Sequence, residues 1–217
     1  MASEFDSVIA VNRFGLGALP GELVLAKSDP RGWLAAQVKG NRAQSDAIAK
    51  LPTSTEIFKR YVDAQEARRD ERAERTQETG AEAVQAQRVV QGIRQVLAPV
   101  YLEQVAARYR IAGSTDEPLR ERLIHFWTNH FAVSADKVAV IGLAGALENE
   151  AIRPHLGSRF VDMLVAVESH PAMILYLDNQ QSSGPNSQLA RLSSRRQGRG
   201  DNEQRKIGIN ENLAREI

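Results

Sequence analysis

The chain has 217 residues and no cysteine, which excludes disulfide bonds, thiolate catalysis and thiolate metal sites. Its 28 Lys and Arg against 27 Asp and Glu leave a formal net charge of +1, which excludes a strong overall field for nucleic acid or a membrane surface. No apolar run is long enough to predict a membrane span, and the N-terminus lacks the basic and apolar regions of an export signal. We therefore expect a cytoplasmic location for the chain as written.

The first forty residues predict short helices joined by turns. Residues 6–12 form the first helix, and glycines at 15, 17 and 21 predict a connecting turn. These glycines do not follow a strand, as a dinucleotide-binding fingerprint requires. Asp29 and Pro30 predict an N-cap and the first residue of a helix that runs through Val38.

A helix that begins near Thr53 or Thr55 is predicted to lead into a polar segment. Its expected buried side chains are Ile57, Phe58, Tyr61 and Val62. Residues 64–78 are nearly all Gln, Glu, Asp, Arg and Ala, which leaves almost nothing to pack on a core. We interpret residues 63–80 as a solvated insertion, and its balance of acidic residues and arginines argues against nucleic-acid binding.

An apolar stripe then predicts one long helix, with Pro99 expected to kink or split it. The stripe consists of Val84, Val89, Ile93, Val96, Val100, Val105 and Tyr109. The next helix starts near Pro118 and holds Leu119, Leu123, Phe126, Trp127 and His130. After a small apolar segment at 138–147, a helix capped by Ser158 is expected to bury Phe160, Met163, Leu164 and Val167.

The rest of the chain predicts one short helix, a long loop and a final helix. His170 and Pro171 start the short helix, and residues 179–209 form a polar, flexible loop. The final helix is capped by Asn210, and its Leu213 and Ile217 have nothing yet to bury them, so we interpret the chain as the N-terminal part of a longer protein. The fold class is all-α: one multi-helical, orthogonal or bundle-like domain over residues 1–217.

Two histidines in an aromatic helix are the first candidates for chemistry. His125 and His130 are five residues apart, about 140° around a helix, whereas a helical metal pair needs ligands one turn apart. Asn129 shares a face with His125. The alternative is that one histidine is a hydrogen-bonded core residue and the other a cation at the helix C-terminus.

Two polar clusters near the end of the chain are the other candidates. Asp178 and Asn179 end the short helix, where the helix dipole disfavours a carboxylate unless a cation or loop amides offset it. The second cluster contains Asn210, Glu211, Asn212, Arg215 and Glu216. Oxygen ligands from Asp178, Asn179, Asn212 and Glu216 would suit a hard divalent cation, but helix and loop capping explains the same residues. We predict no complete metal site, and the sequence leaves the cofactor unknown.

Several segments occur together in an order that resembles a known family. They are residues 12–17 (NRFGLG), 126–134 (FWTNHFAVS), 152–155 (IRPH), 170–173 with 175–179 (HPAM, LYLDN), 184–187 (GPNS), and 210–212 with 214–216 (NEN, ARE). As a set they are similar to the N-terminal portion of the bacterial domain of unknown function 1800 family. Relatives often have His where Thr128 stands, often carry an export signal, and are often encoded beside sulfatase-like proteins. The resemblance therefore implies a possible sulfatase-like partner but no reaction.

Two functions follow from these observations. The preferred one is a non-catalytic structural or partner-binding protein whose polar motifs hold loops together. The alternative is a hydrolase, metal-assisted or not, that uses His125, His130, Asp178 and Glu216. In that alternative Asn129 and Asn212 orient the reacting groups, and the missing C-terminal part completes the site. An enzyme requires these polar side chains to converge in one pocket, whereas a scaffold distributes them as caps.

Overall fold

A computed structural model of the chain describes residues 4–39, 45–74, 82–189 and 209–216, with the side chains at 68, 71–74, 82–86 and 216 left out. No β-strand occurs in these ranges, which confirms the all-α prediction. The helices are α1 (Glu4–Ile9), α2 (Glu22–Lys27), α3 (Pro30–Val38), α4 (Asp46–Ala49), α5 (Ser54–Glu74), α6 (Glu82–Ser114), α7 (Pro118–His130), α8 (Ala144–Leu147), α9 (Phe160–Glu168), α10 (Pro171–Tyr176) and α11 (Asn212–Glu216). In the described ranges no helix is both long and apolar enough to cross a membrane.

Short irregular helices surround α8 and extend α1 and α10. A π-helical turn, Ala10–Phe14, continues α1, and a 3-10 turn, Asn179–Gln181, follows α10. The 3-10 turn Ile141–Leu143, helix α8, the π turn Glu148–Ile152 and the 3-10 turn Arg153–His155 follow one another without interruption. This irregular segment is apolar at most positions, which explains its central place in the core.

One apolar core joins α5 to α10. Buried residues of α6 lie at Ile93, Leu97, Val100, Gln104 and Ala107. Their steps of four and three keep one face of the helix on the core. The predicted stripe is wrong at Val96 and Tyr109, which are exposed. Val96 lies about 100° around the helix from the buried Leu97, and the step of five between Val100 and Val105 takes the later positions off this face.

Helix α6 is also not split at Pro99, which lies inside it. The buried side chains of Leu97 and Val100 flank the proline and anchor the helix on both sides of it. Their burial offsets the hydrogen bond that the proline cannot donate.

The solvent exposure of Phe58, Phe160 and Leu213 differs from the prediction for each of these residues. Phe58 and Phe160 were expected to be buried but are exposed, whereas Ile57, Met163 and Val167 are buried as expected. Leu213 packs at the edge of the main core and therefore does not lack a partner within the chain.

The structure confirms the predicted helix starts at Asp29 and His170 and corrects the one at Ser158. Asp29 Oδ1 accepts the N–H of Gly32 at 2.9 Å, with Pro30 at the first position of α3. His170 Nδ1 accepts the N–H of Ala172 at the start of α10. Ser158 does not cap α9, whose N-cap is Arg159.

In the polar segment after Val62, residues 65–67, 69 and 70 are exposed along α5. The remainder of this segment at 75–80, most of the loop at 190–208, and Ile217 lie outside the described residues. Whether 63–80 is an insertion and whether 179–209 is flexible therefore stay predictions.

Candidate functional site

A buried network of charged side chains lies beside His125, where α7 meets α6 and the π turn Glu148–Ile152. Arg153 Nη1 donates to Glu121 Oε1 at 2.7 Å, and its Nη2 donates to Glu148 Oε1 at 2.7 Å. The other carboxylate oxygen of Glu148 lies 3.1 Å from Arg108 Nε. Arg153, Glu121 and Glu148 are all buried, so each charge depends on these partners.

His125 faces this network. Burial lowers the pKa of His125, and the nearby Arg108 lowers it further, against the opposite influence of Glu148 and Glu121. Its Nε2 is buried and has no hydrogen-bond partner among the described residues. The lowered pKa favours the neutral form of His125, which lies half-buried beside an ion-pair network.

A cavity of about 250 Å³ is lined in part by Glu148 and Arg108 of this network. Its walls come from α6, the end of α7 with the residues that follow, and the segment from α8 into the π turn. Its polar lining consists of Tyr101, Gln104, Arg108, Thr128, Asn129, Glu148 and Asn149. Asn129 is thus a predicted polar residue that lies at a cavity.

Gln104 is the buried polar group of this cavity. It is 3% exposed, and its Nε2 donates to the carbonyl of Gly142 at 2.9 Å. Its Oε1 is buried without a hydrogen-bond partner in the described part of the chain. A buried acceptor without a partner is rare, because it forfeits its hydration.

His130 lies in a cluster of aromatic rings at the surface. It stacks on Phe126 at 6.4 Å between ring centroids, and Trp127 lies 5.1 Å from Phe126 and 5.5 Å from Phe160 of α9. Phe126 is 58% exposed and Phe160 51% exposed. We call Phe126, Trp127, His130 and Phe160 the aromatic face.

Asp178 and Asn210 hold the end of α10 and the start of α11. Asp178 has a left-handed backbone with φ of 57°, and Lys137 Nζ lies 2.8 Å from its Oδ1. Lys137 also donates to the carbonyl of Tyr176, so a cation offsets the carboxylate at this helix C-terminus, which is one of the alternatives that the sequence left open. Asn210 Nδ2 donates to the carbonyl of Leu177 at 2.9 Å, and its Oδ1 accepts the N–H of Asn212.

The predicted site residues with described side chains therefore belong to four settings: the ion network, the cavity, the aromatic face and the helix ends at 178 and 210. The contacts described for Asp178 and for the 210–215 segment include no hydrogen bond to His125 or His130. Glu211 and Arg215 form the predicted ion pair at 2.6 Å, and Asn179 begins the 3-10 turn after Asp178. The side chain of Glu216 lies outside the description. No group of three His, Asp or Glu side chains that could hold a metal ion comes together in the described ranges.

Sequence reasoning missed Arg108, Gln104 and Glu148. For Gln104 and Glu148 the sequence does contain a pattern that could have identified them. Gln104 occupies a buried position of the apolar face of α6, and Glu148 stands between the apolar residues Leu147 and Ala151. A polar side chain at such a position predicts a buried partner.

Comparison with family models identifies the family of the chain. The family described as a protein of unknown function, DUF1800, matches residues 9–217, and the chain belongs to it. No curated protein and no solved structure matches the chain.

Proposed function

We propose that this member of the DUF1800 family is a non-catalytic helical protein that binds a partner protein through the aromatic face. The observation that carries the proposal is the exposure of Phe126 and Phe160 within one set of contacting rings. Aromatic side chains provide large contact areas and are enriched at protein interfaces.

The charges beside the aromatic face support an apolar contact. Arg159 precedes Phe160 and forms an ion pair with Asp162 at 3.0 Å, so these two charges offset each other. An uncharged apolar surface on the partner fits such a face better than an acidic or a basic one.

The use of the family motifs also supports a structural role. Asp178 and Asn210 hold helix ends together, and Glu211 and Arg215 pair one turn apart on α11. A hydrolase would require His125, His130, Asp178 and Glu216 to converge, and the contacts described for the first three belong to a different setting each.

The partner that we propose is a sulfatase-like protein encoded beside the gene, as the family resemblance implies. Purified chain and that neighbour-encoded protein should form a complex in a biosensor measurement. The double variant F126S/F160S should weaken it at least about tenfold, because it removes two exposed anchors. Val165→Ser is the matched control, since Val165 is exposed on α9 and lies about 140° around the helix from Phe160.

Each other outcome contradicts a named part of the proposal. Absence of binding by the wild-type chain overturns the choice of partner. Equal loss with V165S and F126S/F160S overturns the aromatic face as the site. A wild-type dimer in light scattering that F126S/F160S dissolves identifies a second copy as the occupant instead.

A further inference from the structure

We propose that the cavity beside the end of α7 receives a tyrosine side chain of the partner protein that docks on the aromatic face. This inference rests on the proposed function, because it names the anchor residue of that partner. The cavity has a volume of about 250 Å³. An apolar cavity of about 150 Å³ holds one benzene molecule. There is therefore room for one aromatic side chain that carries a polar group at its tip.

The cavity and the aromatic face adjoin each other at the end of α7. Phe131 lines the cavity, and its ring stacks on Trp127 at 5.9 Å and on Phe160 at 6.4 Å between ring centroids. Asn129 also lines the cavity and is three residues from Phe126, which makes the two side chains neighbours on the helix surface. A partner that covers the aromatic face can therefore place a side chain in the cavity.

The charged groups at the cavity favour a neutral anchor. Arg108 Nε lies 3.1 Å from Glu148 Oε2, so the cation and the carboxylate that line the cavity are paired with each other. Glu148 is also paired with Arg153, whose second partner is Glu121. An acidic or basic side chain would lose its hydration beside charges that already have partners, and that loss is costly.

Asn149 supplies the polar contact for the tip of the anchor. It lines the cavity and is 8% exposed. Its side-chain amide has no hydrogen-bond partner in the described part of the chain, but unlike Gln104 Oε1 it keeps some accessible surface. A side-chain amide both donates and accepts hydrogen bonds, as a phenol hydroxyl does. The hydroxyl of a tyrosine in the cavity therefore suits this amide.

The apolar wall of the cavity suits the ring of the anchor. This wall is formed by Val105, Phe131, Ala132, Val133, Ala144 and Leu147. Tyrosine combines an aromatic body with a polar tip, and it is enriched among the residues that fill pockets at protein interfaces. A phenylalanine would fill the same space but would bury the amide of Asn149 without a partner.

The test uses neutral capped amino acids, so it does not depend on the identity of the partner. In an NMR titration of the wild-type chain, N-acetyl-tyrosinamide should bind saturably at up to about 10 mM and shift the amide signals of Gly145 and Asn149. N-acetyl-phenylalaninamide lacks only the hydroxyl and should bind at least about threefold more weakly. N-acetyl-argininamide, which adds a charge, should also bind at least about threefold more weakly.

Two results of this titration overturn the proposal. One is the absence of saturable binding of the tyrosine probe to the wild-type chain. The other is binding of the phenylalanine or arginine probe that equals or exceeds that of the tyrosine probe.

A variant of Asn149 tests the assigned contact. Asn149→Leu replaces the amide by an apolar group of similar size and should abolish the preference for the tyrosine probe over the phenylalanine probe. Asn149→Ala makes the same test if N149L fails to fold. Asn12→Leu is the matched control, since Asn12 is exposed and lies outside the cavity lining, and it should keep the preference within about twofold. An unchanged preference in a folded Asn149 variant overturns the assignment.

The complex with the sulfatase-like protein separates this inference from the proposed function. N149L should weaken that complex at least about threefold, because the anchor loses its polar contact. A complex that F126S/F160S weakens and N149L does not weaken overturns the cavity as the anchor site but leaves the aromatic face in place. Selective binding of the tyrosine probe in the absence of any complex supports the cavity and contradicts only the choice of partner.

Discussion

Glu148 and Arg153 are joined twice across one π-helical turn. The N–H of Arg153 donates to the carbonyl of Glu148, and its guanidinium lies 2.7 Å from the carboxylate of Glu148. Residues five apart point in different directions on an α-helix, whereas the π turn places them one above the other. The irregular backbone thus builds the centre of the buried ion network.

Arg153→Met should destabilise the fold strongly. The substitution leaves the buried carboxylates of Glu121 and Glu148 without their main partner, and loss of one member of a buried pair costs about 3–5 kcal/mol. Urea denaturation followed by circular dichroism measures the change. Arg159→Met removes a pair at the surface and should move the midpoint little. Equal midpoints for the two variants would refute a structural role for the network.

His125 should make the fold less stable as the solution becomes mildly acidic. Its folded-state pKa lies below the ordinary value because of burial and Arg108, while Arg153 acts in the same direction and Glu121 and Glu148 in the opposite one. The unfolded chain therefore binds the proton first, and the free energy of unfolding falls as the pH drops through about 6.5 toward the folded-state pKa.

The measurement for this prediction is the urea midpoint between about pH 7.5 and pH 5.5, in wild type and His125→Gln. The variant should show a smaller fall over this window. His130→Gln, on the exposed aromatic face, is the control for loss of a histidine and should keep the fall that His125 causes. The same fall in H125Q as in wild type would show that other groups cause it.

Two glycine substitutions should change stability in opposite directions. A Cβ on Gly142 would lie 2.7 Å from Ile57 Cγ2, so Gly142→Ala overpacks the core and should cost about 1–3 kcal/mol. Gly113 lies in α6 with nothing within 4 Å of a Cβ, so Gly113→Ala should stabilise by about 0.5–1 kcal/mol. The melting temperatures of both variants, compared with that of the wild type, test this prediction. A stable G142A would mean that Ile57 can move away at little cost.

Asp178 should tolerate Asn better than Val. Its φ of 57° lies in the left-handed region, which Asn adopts readily and a β-branched residue does not. Asp178→Asn loses the charge that faces Lys137 but keeps this backbone, so D178V should be less stable than D178N by about 1–2 kcal/mol. Melting temperatures measure the difference, and equal values would mean that the left-handed turn is not required.

The sequence by itself determined the elements whose cause is local. Asp29 with Pro30 and His170 with Pro171 start helices because a side chain at the N-cap bonds an N–H two or three residues later. Glu211 pairs with Arg215 because four residues make about one turn. The need for a cation or for loop amides near Asp178 also follows from the dipole of a neighbouring helix end.

Only the tertiary structure decided which cation pairs with Asp178, which helix faces are buried and where the cavity lies. Lys137 reaches Asp178, and Arg153 reaches Glu121 on α7, from other elements of the fold. The cavity exists because Gln104, Thr128 and Gly145 come from three segments that pack together. Spacing along a chain fixes contacts within one turn of helix, but contacts between helices depend on how whole faces pack, and a single sequence does not show that packing.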